Sequence, residues 1–219
     1  GEIAAGAGVG TNGGSFGFSI SENNWLGKGT RLNFELDVDE ESLGGTLNYT
    51  QPNYNFLGNS LNYYVSSESN DKPDQGYENA IYTAGITTGF EQYKDIFVNL
   101  GLSTSFDDLR TQDSATDSLK KQSGEFLEFA GNYGFKYDTR NRSFMPTSGS
   151  ITSFNQVLPI YADRSFIDNS ISISNYKSFS DESIVGSSKI FITAINGLND
   201  DNVRLSKRKK LSSRRLRGF

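Results

Sequence analysis

The 219-residue chain carries 26 Asp and Glu against 21 Lys and Arg, with 35% hydrophobic residues, 23 glycines, 16 phenylalanines and 11 tyrosines. It has neither cysteine nor histidine, which excludes disulfides, thiolate metal sites, histidine-based catalytic triads and nearly all zinc or haem ligation. No apolar run approaches the roughly 18–20 residues of a spanning helix, and the opening GEIAAGAGVG has no basic region of the signal-peptide kind.

From the first residues onward the pattern is alternation with period two. About eleven strands are expected, beginning near residues 2, 14, 29, 42, 57, 78, 94, 122, 148, 165 and 184. The first, EIAAGAGVG, is built of small residues, with Gly6, Gly8 and Gly10 on one face and Ala5 and Ala7 on the other. Its end, GVGTNG, spells a dinucleotide-binding pattern, but that chemistry needs a helix next, and GSFGFSI reads as another strand. A glycine-flanked hairpin is expected there. In LNFELDV, Leu32, Phe34, Leu36 and Val38 share a face opposite Arg31, Asn33, Glu35 and Asp37. The acidic DVDEES that follows lacks the spacing and glycine of a calcium loop and reads as a solvated hairpin turn.

GTLNYT sets Leu43, Leu47 and Tyr49 against Thr46 and Asn48, and AIYTAGITTGF sets Tyr82, Ile86 and Phe90 against Thr83, Thr87 and Gly89. IFVNLGLSTSF places Ile96, Val98, Leu100, Leu102 and Phe106 opposite Asn99, Gly101, Ser103 and Ser105. FLEFAGNYGFKYD closes on Asp138, after which YDTRNRSFMPTSG places Asp138 and Arg140 two residues apart, with Pro146 and Gly149 fixing a turn. No helix is expected anywhere. Short turn-like connectors (TNGG, NFLGN, EQYKD, MPTSG) alternate with long polar ones (SSESNDKPDQGYE, DDLRTQDSATDSLKKQS), and many strands reach the roughly 9–11 residues of a tilted membrane strand. A soluble sandwich or lipocalin-like barrel also alternates, but its solvated face is rich in Lys and Glu. Here that face is Gly, Ser, Thr and Asn, as a wet lumen requires, and the apolar face carries girdle-forming Tyr and Phe. The expected fold is an all-β transmembrane antiparallel barrel.

The chain ends RLSKRKKLSSRRLRGF. These sixteen residues hold eight bases and no acid, so residues 1–203 carry a net charge of −13. A nucleic-acid arm would want interleaved aromatics and a less acidic host, and a membrane-surface patch would want anionic headgroups beside it. A loop tucked into the lumen would find Glu35, Asp37, Glu128 and Asp138. SSRRLRGF does not alternate, so it reads as loop and not as a closing strand.

Four separated stretches resemble the barrel of BamA-type outer-membrane assembly factors. ENNWLGKG resembles that family's D-N-[WF]-L-G-x-G turn, and TQPNYNFLGNSL its T-x-P-Y-F turn. YDTRNRSFMPTSGS resembles its D-x-R…P-x-x-G element through Asp138, Arg140, Pro146 and Gly149. LSKRKKLSSRRLRGF resembles its sixth extracellular loop, whose R-G-F tip falls on Arg217, Gly218 and Phe219. Two serines precede that tip where the family often has a Gly-Gly pair.

The resemblance implies the N-terminal part of a barrel of about sixteen strands, over residues 1–196, followed from 197 to 219 by the long loop. The POTRA domains and last strands would lie outside this sequence. It further implies an outer-membrane insertase that uses neither covalent chemistry nor a cofactor or metal. Strand 2–10 (Ala5, Gly6, Ala7, Gly8, Gly10) would be the edge offered to nascent β-barrel clients, and Arg217, Gly218 and Phe219 would anchor the loop in the lumen. The other basic residues of the tail are expected to act less specifically, balancing an acidic interior or meeting lipopolysaccharide phosphates. Accessory outer-membrane lipoproteins and the lipid bilayer are the remaining expected partners, with no nucleic acid. The competing reading is a passive porin-like channel constricted by the basic loop. An outer-membrane enzyme is disfavoured by the missing histidine.

Overall fold

Period-two alternation over segments of nine or more residues leaves the backbone one economical solution, an extended ladder in which each strand pairs with its sequence neighbours. The computed structural model has that form, and it describes residues 1–10, 13–180, 184–199 and 202–209. Eleven strands follow one another in a single antiparallel meander. They are β1 (Glu2–Gly10), β2 (Gly13–Trp25), β3 (Thr30–Asp39), β4 (Ser42–Gln51), β5 (Ser60–Lys72), β6 (Tyr77–Tyr93), β7 (Ile96–Thr111), β8 (Gly124–Asp138), β9 (Gly149–Ala162), β10 (Phe166–Phe179) and β11 (Ile184–Gly197). Each start lies within three residues of its expected position. β1 pairs only with β2 and β11 only with β10, so the sheet of described residues has two free edges.

The registers stack like with like. Phe34 lies opposite Ile20 and Leu47, Leu47 opposite Val65, Ile86 opposite Leu102, and Phe154 opposite Phe135 and Ile171, all on one face. The other face carries Asn33, Thr46, Ser66, Thr83, Ser105 and Glu128 in successive strands. On the apolar face Leu47, Leu100, Leu102, Phe135 and Ile192 all remain exposed in the isolated chain. An apolar surface of this extent is far larger than the few hundred Å² a soluble monomer tolerates, and marks a lipid-facing wall.

The polar face is concave. Thr83 of β6 and Ile195 of β11 line one cavity of about 330 Å³, although five strand spacings of roughly 4.8 Å separate them along the sheet. Close fits on this inner face admit the curvature. Tyr64 lies over Gly85, where a Cβ would come within 2.5 Å of its ring, and Asn132 occupies the space above Gly101.

The two ends of the sheet differ, though not as the connectors suggested. One end, here the loop end, carries connectors 11–12, 40–41, 73–76, 112–123 and 163–165. The other, the turn end, carries 26–29, 52–59, 94–95, 139–148 and 180–183. TNGG therefore belongs with the long connectors, and SSESNDKPDQGYE is mostly strand. Ser66–Lys72 and Asp107–Thr111 continue the ladder, because polar residues can extend a β pair wherever its partner strand continues too. The asymmetry is one of strand overhang. On the outward face, apolar side chains stop at Tyr82, Phe106 and Leu127, and Glu78, Asp108, Arg110 and Glu125 follow. Arg110 bridges Asp108 (2.7 Å) and Glu78 (3.8 Å). One four-residue helix, Asp117–Lys120, sits in the 112–123 loop, where no helix was expected, and short 3-10 turns cover Pro73–Gln75 and Leu205–Lys207.

Candidate functional site

An inward face of small polar residues cannot pack on itself, so burial has to come from chain folded into the concavity. Residues 202–209 supply it. After β11 ends at Gly197, the chain turns back against the inner face of β7, β8 and β10, and the most buried side chains of the protein gather there. Arg204 is 1% exposed and Asp107 0%, with Phe126 against Arg204, Phe166 against Lys207 and Leu109 lining a cavity with Leu205. Arg204 Nη1 lies 3.1 Å from Asp107 Oδ2, Nη2 lies 4.0 Å from Glu128 Oε2, and the guanidinium stacks 4.4 Å from the Phe126 ring centroid. Lys207 Nζ donates to Glu128 Oε2 (2.9 Å) and to Ser105 Oγ (3.3 Å). The Ser206 hydroxyl donates to Asp107, Lys209 pairs with Asp168, and the Leu205 N–H donates to Gln122 Oε1 (3.0 Å).

Two bases and two acids thus neutralise each other at the centre of the cluster. Burial draws the Arg204 guanidinium below its ordinary pKa, with Asp107 and Glu128 opposing that. Asp107 Oδ1 and Arg204 Nε make no hydrogen bond with the described residues. The central pair therefore rests on charge attraction and on Phe126 and not on a bidentate fork.

This geometry corrects one expectation. The tail bases ahead of Arg217 are not uniformly unspecific, because Arg204 and Lys207 each have defined acidic partners. Of the four acids named from sequence as lumenal, all lie on the inner face, but only Glu128 meets the described part of the tail. Asp138 is taken by Arg140, while Glu35 and Asp37 line a cavity beside Gly6 and Gly17. Asp107 and Asp168 were missed. Asp107 was within reach, since the alternation that puts Ser103 and Ser105 on the inner face puts Asp107 there as well. The proposed anchor Arg217, Gly218 and Phe219 lies outside the described residues.

At the far side of the sheet, β1 has only small side chains from Ala4 to Gly8, on both faces. Ala5 lies opposite Phe18, Gly6 opposite Gly17, Ala7 opposite Phe16 and Gly10 opposite Gly13. A Cβ at Gly6 would meet nothing within 4 Å. Cross-strand side-chain pairs, which stabilise a ladder by about 0.2–1 kcal/mol each, are therefore sparse here. Within the described residues β1 pairs with β2 alone. GVGTNG leads from β1 into β2, where a dinucleotide site would need a helix.

The third feature is the 138–149 turn. Asp138, the last residue of β8, accepts Arg140 Nε on Oδ1 (2.8 Å) and Nη2 on Oδ2 (2.7 Å), a bidentate fork. That bond raises the Arg140 pKa. Asn141 Oδ1 accepts the Thr147 and Ser148 N–H groups (3.1 and 3.2 Å), and Gly149 has φ +94°. A Cβ on Gly149 would run into the Thr139 carbonyl oxygen, so the position requires glycine. Asp138, Arg140 and Gly149 are thus brought together, with Pro146 half-buried in the same turn.

An antiparallel meander that is apolar outside, polar inside and filled by a charged loop is the wall of a membrane β-barrel. Residues 24–219 match the model of the Omp85 superfamily domain, and the chain belongs to that superfamily. Among solved structures it is similar to BamA from Haemophilus ducreyi lacking POTRA domains 1–3, at 22% identity and a TM-score of 0.75. The match covers 94% of this chain and 42% of the Haemophilus ducreyi chain.

Proposed function

We propose that this chain is the N-terminal part of the barrel of a BamA-type assembly factor, located in the outer membrane of a Gram-negative bacterium. It acts without covalent chemistry, cofactor or metal, and its clients are nascent outer-membrane β-barrel proteins. A client entering lipid exposes strand edges whose unpaired backbone groups cost several kcal/mol each in hydrocarbon. β1 offers those groups partners. The observation that carries this reading is the light packing of β1, whose Ala5, Gly6, Ala7, Gly8 and Gly10 offer the neighbouring strand few side-chain contacts, with nothing within 4 Å of a Cβ at Gly6. Such a strand can exchange partners at low cost.

The basic loop is the second working part. Arg204 and Lys207 hold its first residues in the lumen, and by resemblance Arg217, Gly218 and Phe219 fix its tip. The Asp138–Arg140 turn, with Pro146 and Gly149, holds the β8–β9 connection. Accessory outer-membrane lipoproteins, the bilayer and lipopolysaccharide complete the proposed partners.

The test is reconstitution of the complete gene product in liposomes with an unfolded β-barrel client. Faster acquisition of client heat-modifiability than in empty liposomes supports insertion. Steady ion conductance with no acceleration of client folding supports the passive porin-like channel instead.

A further inference from the structure

We propose that the outward face of β8, β9 and β10 is a contact between two copies of this barrel in the plane of the membrane, centred on a row of polar side chains, Tyr133, Gln156 and Asn169. The registers set these three side by side across the strands, with Leu100 of β7 before them and Ala194 of β11 after. They point out of the barrel, since Phe135, Phe154 and Ile171 form the next row on the same face. The row is linked. The Tyr133 hydroxyl donates to Gln156 Oε1 (2.6 Å), and Gln156 Nε2 donates to Asn169 Oδ1. The Tyr133 ring packs against Phe135 (5.9 Å between centroids) and Phe154 (6.1 Å), which fixes where its hydroxyl points.

The surroundings of the row are apolar. Phe154 and Leu158 flank Gln156 along β9, and Ile167 and Ile171 flank Asn169 along β10. On β8, Gly131, Phe129 and Leu127 lie between Tyr133 and the outward-facing Glu125 of the loop end. Away from the strand ends, the outward faces of β3 to β7 carry hydroxyls such as Ser67, Thr88 and Thr104 but no carboxamide. Asn175 also faces outward, but beside Lys177 and close to the turn end.

A carboxamide carries two N–H donors and two acceptor lone pairs. Asn169 accepts from Gln156, but its Nδ2 donates to none of the described residues. Acyl chains offer it no acceptor, so the row gains from a polar group on another membrane protein. A second copy supplies one. Primary amides are self-complementary, so Nδ2 of one Asn169 and Oδ1 of the other can bond reciprocally. A twofold axis along the membrane normal brings the row onto itself and keeps both copies inserted in one direction, and closed twofold contacts are the commonest oligomers. Gly131 and Ala194, small residues beside the row, let two walls approach closely. Strands β2 to β7 separate this face from β1, so a pair formed here leaves β1 uncovered. Association of this kind needs only the membrane wall and not the client-pairing role of β1.

The test uses the complete gene product at low density in vesicles of phosphatidylethanolamine and phosphatidylglycerol. Ala194→Cys, beside the row, and Leu36→Cys, on β3, are each treated with a short bismaleimide. This sequence has no cysteine to interfere, and any outside it is first changed to serine. Position 194 should give severalfold more crosslinked dimer than position 36. Adding Gln156→Leu and Asn169→Leu should cut the dimer at 194 severalfold while heat-modifiability, which reports a folded barrel, is kept. Gln156→Met alone reads the same contact through a smaller change where the double variant does not fold. Equal crosslinking at 194 and 36 overturns the proposal, as does a dimer at 194 that survives loss of the carboxamides in a heat-modifiable barrel. Crosslinking in whole cells to a different outer-membrane protein, with no dimer, also overturns it and assigns the face to another barrel.

Discussion

Replacing Arg204 with alanine removes, among the described residues, the one guanidinium that faces a fully buried carboxylate. Asp107 is 0% exposed, and its remaining described partner would be the Ser206 hydroxyl, while Glu128 would keep Lys207 at 2.9 Å. Breaking a buried pair on one side costs about 3–5 kcal/mol, because the other charge stays desolvated. Lys209 also pairs with an acid, but its side chain is 40% exposed, and such pairs contribute roughly 0–1 kcal/mol. Arg204→Ala should therefore lower the melting temperature of the complete gene product in detergent well beyond Lys209→Ala. It should also expose residues 202–209 to protease. Arg204→Met combined with Asp107→Leu should recover most of the loss, since an apolar pair of similar volume removes the stranded charge. Equal effects of Arg204→Ala and Lys209→Ala would mean that the loop is held by bulk charge, and the clamp reasoning would fail.

Substitutions at three further positions probe other parts of the account. Gly149→Ala forces a Cβ against the Thr139 carbonyl at φ +94° and should destabilise the barrel by about 1–3 kcal/mol in a detergent melt; an unchanged melt would contradict the turn geometry. Arg140→Lys loses the planar fork to Asp138, so its melting temperature should fall nearly as far as that of Arg140→Ala, and full retention would assign the site to charge alone. In a depletion strain, Arg217→Ala should fail to complement and Arg217→Lys should rescue little. Complementation by Arg217→Ala would remove that residue from the proposed anchor.

Strand positions were legible because alternation is a local signal, and each strand's apolar face is written in its own residues. The β3 run Leu32, Phe34, Leu36, Val38 needed no knowledge of β4 to be placed. The 138–149 turn was legible for the same reason, since Asp138, Arg140 and Gly149 lie within a dozen residues. The extent of β5 and β7 was not, because Ser66–Lys72 is polar on both faces and is strand only where β6 continues beside it. The Arg204 cluster was hidden more deeply. Asp107, Glu128 and Asp168 come from three strands, and they meet Arg204, Lys207 and Lys209 only through ladder register and the curvature of the sheet. The sequence identified a basic tail and an acidic interior, and three-dimensional pairing selected which base meets which acid.

The central claim is that β1 is the edge at which clients pair. A photo-crosslinking residue at Ala5 or Ala7, on the outward side of β1 opposite Phe18 and Phe16, should yield adducts with the C-terminal strands of β-barrel clients during their assembly by the complete gene product. A probe at Leu100, in the middle of the wall on β7, should not. Adducts at Ala5 and Ala7 with lipid alone, or client adducts no more abundant than at Leu100, would contradict the account.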